Sequence, residues 1–159
     1  MSTRIETHKQ QLADARASLN AIFDQVGDRW ETTVYEDGLA WNARQIAVHL
    51  ADADRGHTLQ VMRCAEGHEV VPTDFDLERY NRRQTEKRAN VTVEEARAAL
   101  VTNRADLLRW PDTMADNVLD RTGRNAFLHI WPLWRFLDHM AAHERHHATD
   151  IACALSIPT

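Results

Sequence analysis

Cysteine is scarce in this chain of 159 residues: there are two, Cys64 and Cys153, far apart and outside any CxxC spacing. That argues against a disulfide framework and against a thiolate zinc site. Both are expected to be small buried apolar side chains rather than nucleophiles. Glycine and proline are also few, five and four, which leaves room for long uninterrupted helices. No apolar run approaches the roughly 20 residues that span a bilayer. The opening segment Met1–Glu6 is polar and has no signal-peptide core, so a cytoplasmic location is the expectation. An excess of positive charge is missing as well. The formal charge is −5, whereas nucleic-acid binders usually show a basic face. The one arginine cluster, Arg79–Lys87 with Arg82 and Arg83, is diluted by Glu78 and Glu86 and reads as a solvated helix face. Neither a nucleic-acid nor a membrane partner is expected.

What remains is helix-forming material. Alanine, leucine, arginine, glutamate and glutamine are abundant, and 43% of the chain is apolar, enough for one ordinary domain covering residues 1–159. Apolar residues at helical spacing (Leu12, Ala15, Leu19, Ile22, Phe23 and Val26) predict a first helix from about Thr3 to Gln25, opened by a Thr3/Glu6 capping box and closed by Gly27. A loop with Trp30, Tyr35 and Gly38 leads to a second helix, about Asn42 to Glu66, with Asn42 and Gln45 as its box and Gly67 after it. A third helical region starts near Asp76, is interrupted at Asn90 and restarts at Thr92 with Glu95. Leu100, Leu107, Leu108 and Trp110 form its apolar face, and Pro111 stops it. A polar connection, Asp112–Asn125, follows, with a turn expected at Gly123. The fourth main helix begins around Pro132 and reaches about Leu155. Thr32–Tyr35 is the only β-like run. Four amphipathic helices bury their stripes most simply against one another, so the expected fold is all-α, a four-helix bundle.

Histidine is plentiful: nine in all, five of them between His129 and His147. His143 and His147, four residues apart, lie one turn above each other and can offer two imidazoles to one ion. His139 lies about 12 Å along the axis from His147, at 1.5 Å per residue, too far to share that ion. The blander alternatives are a histidine-rich solvated face, or core histidines satisfied by hydrogen bonds. The apolar Phe136, Met140 and Ile151 on the same helix place the pair near the interior, where two neutral histidines need partners. Residues 143–147 also fit H-E-x-x-H. The twelve residues that follow hold no third histidine and no glutamate, and Asp150 and Cys153 stand where the longer metzincin pattern needs glycine and histidine. Peptidase activity is therefore not expected. The third ligand must come from upstream, and His49, in the interior stripe of the second helix, is the best candidate. Three imidazoles leave a coordination position open, as catalytic zinc sites do.

Several neighbours are weaker candidates. Asp52 lies one turn from His49 and Asp150 one turn from His147, and either can orient an imidazole or be an exposed carboxylate. Glu144 and His146 point about 100° away from their neighbouring ligands, so Glu144 is not expected to act as a general base. His57 is expected to line a pocket or the surface. Trp41, Trp131 and Trp134 either wall a cavity or dimer face or pack in the core.

The run Trp41-Asn42-Ala43-Arg44-Gln45-Ile46-Ala47-Val48-His49-Leu50-Ala51-Asp52, together with His143-Glu144-Arg145-His146-His147, resembles the DinB-like superfamily. That family includes bacillithiol S-transferases and the metal-binding domain of mycothiol-dependent maleylpyruvate isomerase. Asp76–Asn81 and the restart at Thr92 are similar too, so the likeness covers nearly the whole chain. The resemblance implies an up-down-down-up bundle, His49, His143 and His147 as ligands, one divalent metal ion (most often zinc or nickel) and a homodimer. It also implies transfer of a low-molecular-weight thiol to a small electrophilic substrate. The sequence leaves two functional classes open. One is a metal-dependent enzyme, with a thiol S-transferase ahead of a hydrolase. The other is a non-catalytic metal or small-ligand binding bundle. A coordination position facing a cavity favours the first, and a fourth protein ligand or a sealed site favours the second.

Overall fold

A computed structural model describes residues 3–109 and 115–159. Five helices account for most of it: α1 (Arg4–Phe23), α2 (Ala43–Ala65), α3 (Leu77–Lys87), α4 (Val93–Arg109) and α5 (Leu133–Leu155). A short 3-10 helix (Asp116–Asp120) and two three-residue strands, β1 (Thr122–Arg124) and β2 (Ile130–Pro132), lie between α4 and α5. The caps follow from the sequence. Asn42 and Gln45 make a complete capping box on α2, Thr92 and Glu95 exchange both bonds ahead of α4, and Thr3 accepts from the Glu6 amide. Such caps satisfy amides that a helix N-terminus leaves without partners.

Cross-helix contacts fix the directions. His8 meets Asp138, Arg16 meets Glu144 and Arg29 meets Leu155, so α1 and α5 run parallel. His49 meets His147 while His57 meets His139, so α2 runs against α5. Arg44 reaches the Val91 carbonyl and Asp54 reaches Arg104, so α2 and α4 run together. The result is an up-down-down-up bundle of α1, α2, α4 and α5. The interrupted third region is two separate helices. Its first part, α3, has no buried residue and lies against α2, which explains the exposed Arg79, Arg82, Arg83 and Lys87.

The core is divided. One apolar cluster includes Leu19, Ile46, Leu50, Leu100, Ala148 and Ile151, and a second includes Leu12, Val61, Leu107, Phe136, Met140 and Ala141. On each of the four bundle helices α1, α2, α4 and α5 a charged residue sits between the two clusters: Arg16, Asp54, Arg104 and Glu144. These four form a buried ion network. Arg104 Nη2 is 2.5 Å from Glu144 Oε1 and 3.2 Å from Asp54 Oδ1. Arg16 Nη2 is 2.7 Å from Glu144 Oε1 and 3.3 Å from Asp54 Oδ2. Each arginine also donates to a backbone carbonyl, Arg16 to Leu100 and Arg104 to Leu12.

Other expectations change in contact with the structure. Thr32–Tyr35 forms a single bridge, Thr33 with Asn42, and the described strands lie instead in and after the polar connection, where β1 and β2 pair antiparallel. Gly123 is not in a turn. It sits inside β1 opposite Trp131, and the reversal is made by Asn125, whose side chain accepts from the amides of Phe127 and His129, an Asx-type turn. Gly123 is required by packing, because a Cβ there would overlap Cys64 Sγ and lie 3.0 Å from Cys64 Cβ. Gly123→Ala is expected to cost about 1–3 kcal/mol through overpacking, and Cys64→Ala in the same chain to recover part of it, both read from denaturant melts. Cys64 is buried as expected, but Cys153 is exposed, because it lies on the solvent face of α5. Trp110, Pro111 and Asp112 lie outside the described residues. No helix among the described residues is long and apolar enough to cross a membrane.

Candidate metal centre

His49 comes from the middle of α2, and His143 and His147 come from successive turns of α5. His143 Nε2 lies 3.2 Å from His49 Nε2 and 3.1 Å from His147 Nε2, and one ligand atom from each of the three falls within 4.8 Å of the others. Two nitrogens bound at about 2.0–2.1 Å to one tetrahedral zinc ion stand about 3.3 Å apart. The close pairs therefore have almost the spacing a shared cation imposes. This is the one such cluster among the described residues.

Electrostatics keeps the donors available. Burial, followed by repulsion from His147 and His57, pushes His49 down to about 3. Burial, followed by repulsion from His146, brings His147 down to about 4, against a smaller upward pull from Asp150. His143 is held well below the usual imidazole range by burial and then by the surrounding histidines. All three are neutral near pH 7 and carry a lone pair for a cation, and the all-nitrogen set suits zinc, nickel, iron or copper. The donor set and spacing thus fit a divalent metal.

The surroundings differ in part from expectation. Asp150 does not bond His147 directly. Tyr35 stands between them, its hydroxyl 2.7 Å from His147 Nδ1 and donating to Asp150. Asp150 is also 3.3 Å from the exposed His146. Burial, and then the bond to Asp150, raise the Tyr35 phenol above its ordinary value. Asp52 turns towards α3, where it accepts from the Tyr80 hydroxyl at 3.0 Å and lies 2.7 Å from Arg88. Among the described residues its hydrogen bonds include no histidine. It anchors α3 beside the site instead of orienting an imidazole.

Glu144 faces away from the triad, as the helical offset requires, and is consumed by the arginine network. The H-E-x-x-H spacing therefore places no carboxylate among the three imidazoles. Trp41 lies against His49, ring centres 4.4 Å apart, with its indole N–H on Thr85 of α3, so it walls the site. Trp131 packs on His139 and Phe136, and Trp134 is half-buried against the second apolar cluster. His139 stacks on His143 at 5.7 Å and meets His57 at 5.3 Å. Both line the cavity beside the triad, and burial lowers both, His57 to about 3.

That cavity measures about 330 Å³. His49 and His143 open onto it, while His147 is buried behind them. Its apolar walls include Leu59, Val70, Val71, Pro72, Phe75 and Phe127, with Gln60, Tyr80 and Asn81 as polar points and Arg55 also lining it. Leu59, Val70 and Phe127 are exposed, so the cavity is accessible from solvent. Tyr35 was missed by sequence reasoning. It lies in a loop with no helical period, where the sequence marks it only as a loop residue and the end of a β-like run.

An antiparallel-and-parallel helical bundle with three converging imidazoles at the foot of a cavity defines a helical protein whose histidine triad could hold a metal ion. The chain belongs to the DinB superfamily, whose sequence profile matches residues 11–151. Members of that superfamily commonly bind a metal, and the triad is placed accordingly. No curated protein and no solved structure matches the chain significantly.

Proposed function

We propose that the chain is a metal-dependent enzyme of the thiol S-transferase type, acting on a small electrophile with a largely apolar body. The observation that carries this reading is that two of the three triad imidazoles line a solvent-accessible cavity of about 330 Å³. A molecule in the cavity can therefore reach the triad, and the site is neither sealed nor completed by a fourth protein ligand among the described residues. His49, His143 and His147 would hold zinc or nickel, and such a cation, when bound, lowers the pKa of a thiol or water and fixes its anion in place.

The chain's own residues do the rest. Leu59, Val71, Phe75 and Phe127 take the body of the substrate and keep water from it. The neutral imidazoles of His57 and His139 and the amides of Gln60 and Asn81 offer hydrogen bonds to its polar groups. Arg55, whose side chain is 62% exposed and lies 4.0 Å from Asp52 Oδ1, offers a cation to an anionic substituent. Tyr80, held by Asp52, keeps α3 over one side of the cavity.

The test is metal analysis of protein purified without a histidine tag, followed by thiol-consumption assays with several low-molecular-weight thiols and electrophiles. Roughly one metal per chain is expected, with conjugation that chelation abolishes and metal restores. Phe127→Asp, at the exposed wall, is expected to raise KM about tenfold or more through loss of apolar contact while the bound metal is unchanged. Bound metal with no chelator-sensitive chemistry would leave a non-catalytic binding bundle. A wild-type chain without metal affinity would remove both readings.

A further inference from the structure

We infer that Tyr35 and Asp150 act as positioning residues which hold the His147 ring with its hydrogen on Nδ1 and its lone pair on Nε2. The inference rests on the reading of the triad as a cation site and assigns that site a supporting shell that reaches it through a loop.

A count of hydrogens fixes the tautomer. A phenol has one hydrogen to donate, and a carboxylate only accepts. Tyr35 donates to Asp150. Were its hydrogen aimed at His147 instead, the phenol oxygen and the carboxylate would face each other with lone pairs alone. With that hydrogen committed, the 2.7 Å contact between the Tyr35 oxygen and His147 Nδ1 is a hydrogen bond only if Nδ1 carries the hydrogen. Nε2 is then bare, and it is Nε2 that lies 3.1 Å from His143 Nε2. The bond made by one ring nitrogen decides what the other can do, and such outer contacts tune ligands throughout metal sites.

The loop is built to deliver this side chain. The amides of Val34 and Tyr35 both donate to the Trp41 carbonyl, at 2.9 and 3.2 Å, and the Thr33–Asn42 bridge ties the segment to the start of α2. Tyr35 is thereby clamped between the α2 N-terminus and the last turns of α5. The ring itself stands 5.9 Å from that of His147, edge to face. Trp41, which receives those two amides, also covers His49, so one loop anchor serves two of the three imidazoles. Without the phenol, His147 has another hydrogen-bond partner within reach, because an Nε2–H can donate to His143 Nε2. That alternative is the tautomer that blocks the site.

The experiment uses the full chain, labelled with nitrogen-15, metal-free at pH 7.5. Long-range nitrogen–proton spectra of the histidines report the tautomer, and His147 is assigned by its absence in His147→Gln. The wild type is expected to show the Nδ1–H form, and Tyr35→Phe and Asp150→Ala, which leaves the phenol hydrogen without its acceptor, to shift towards Nε2–H. Zinc titration of the same proteins is expected to show about 10–100-fold weaker binding in both variants, with metal-free melting temperatures close to wild type. Asp150→Ala keeps the test open should Tyr35→Phe fold poorly. An Nε2–H wild type, tautomers unchanged in the variants, or unchanged zinc affinity in both overturns the inference. A wild type that takes up no zinc but shows the Nδ1–H form, lost in the variants, sinks the cation reading while the tautomer assignment stands.

Discussion

Glu144→Ala is expected to lower the stability of the metal-free protein by about 3–5 kcal/mol, the cost of leaving buried charge without its partner. For a domain of this size that is a fall of roughly 6–20 °C in melting temperature, at about 2–4 °C per kcal/mol. Domains are stable by only about 5–15 kcal/mol in total, so the loss is a large share. The reason lies in the division of the core. Arg16 and Arg104 both reach Glu144, whose residue is 2% exposed. Removing the carboxylate leaves two guanidinium groups sharing Asp54 alone. Neither arginine can turn to water, since each is also tied to a backbone carbonyl of the facing helix. Arg104→Met in the Glu144→Ala background is expected to cost less than the sum of the two single changes, because members of one network are coupled. A double-mutant cycle measured by urea denaturation checks this. A loss below about 1 kcal/mol for Glu144→Ala would mean that the network contributes nothing beyond a surface pair.

That network also orients the site. Glu144 follows His143 directly in the chain, and its bonds to α1 and α4 set the rotation of α5 about its axis. His143 and His147 are thereby turned to α2, where His49 waits. The charged layer and the histidine cluster lie on different faces of one helix, between the same two apolar clusters.

The parts of this arrangement that were legible are those with a local period. Apolar residues at helical spacing located α1, α2, α4 and α5, and Asn42, Thr92 and Gly67 marked their ends. The pair His143 and His147 could be read from a four-residue interval, and His49 from its place in an apolar stripe. What could not be read depends on distant positions meeting. Arg16, Asp54, Arg104 and Glu144 come from four helices, and no interval in the chain connects them. Residues 143–147 instead offered a peptidase-like pattern, in which the glutamate's true partners are absent. Tyr35 sits in a loop whose conformation is set by bonds to Trp41, and its meeting with Asp150 spans most of the chain. The hairpin was hidden for a different reason. Its strands have three residues each, too short for alternation to appear, and β2 runs straight into the proline that signals a helix start. Gly123 looked like a turn residue because its real constraint, the sulfur of Cys64, lies on another element.

His143→Ala is expected to weaken zinc or nickel binding by more than about 100-fold, beyond the range seen for residues that only support a ligand. Its Nε2 is the near neighbour of both other imidazoles, so the two left behind no longer share a close third donor. Wild type in metal at 100 times its Kd should gain about 2.7 kcal/mol of stability by mass action, and the variant almost none. The same substitution should alter the pH response of the metal-free protein in a determined direction. His49 titrates near 3 and His147 near 4 in the folded chain, and His143 well below its ordinary value, whereas all three return to about 6.5 on unfolding. Between these limits the unfolded chain binds more protons than the folded one, so stability rises with pH. It is complete above about pH 6.5 and is lost progressively as the pH falls towards the folded values. Each such group contributes up to about 1.4 kcal/mol per pH unit within that window. Removing His143 deletes one of these groups, whereas the repulsion on His49 comes from His147 and His57 and stays in place. The variant should therefore be less stabilised by metal at pH 7.5 yet lose less stability between pH 6.5 and 5, as read from urea midpoints in chelator. Identical slopes for the two proteins would show that His143 takes up its proton equally well folded and unfolded, which neutral, buried ligands packed against two other imidazoles cannot do.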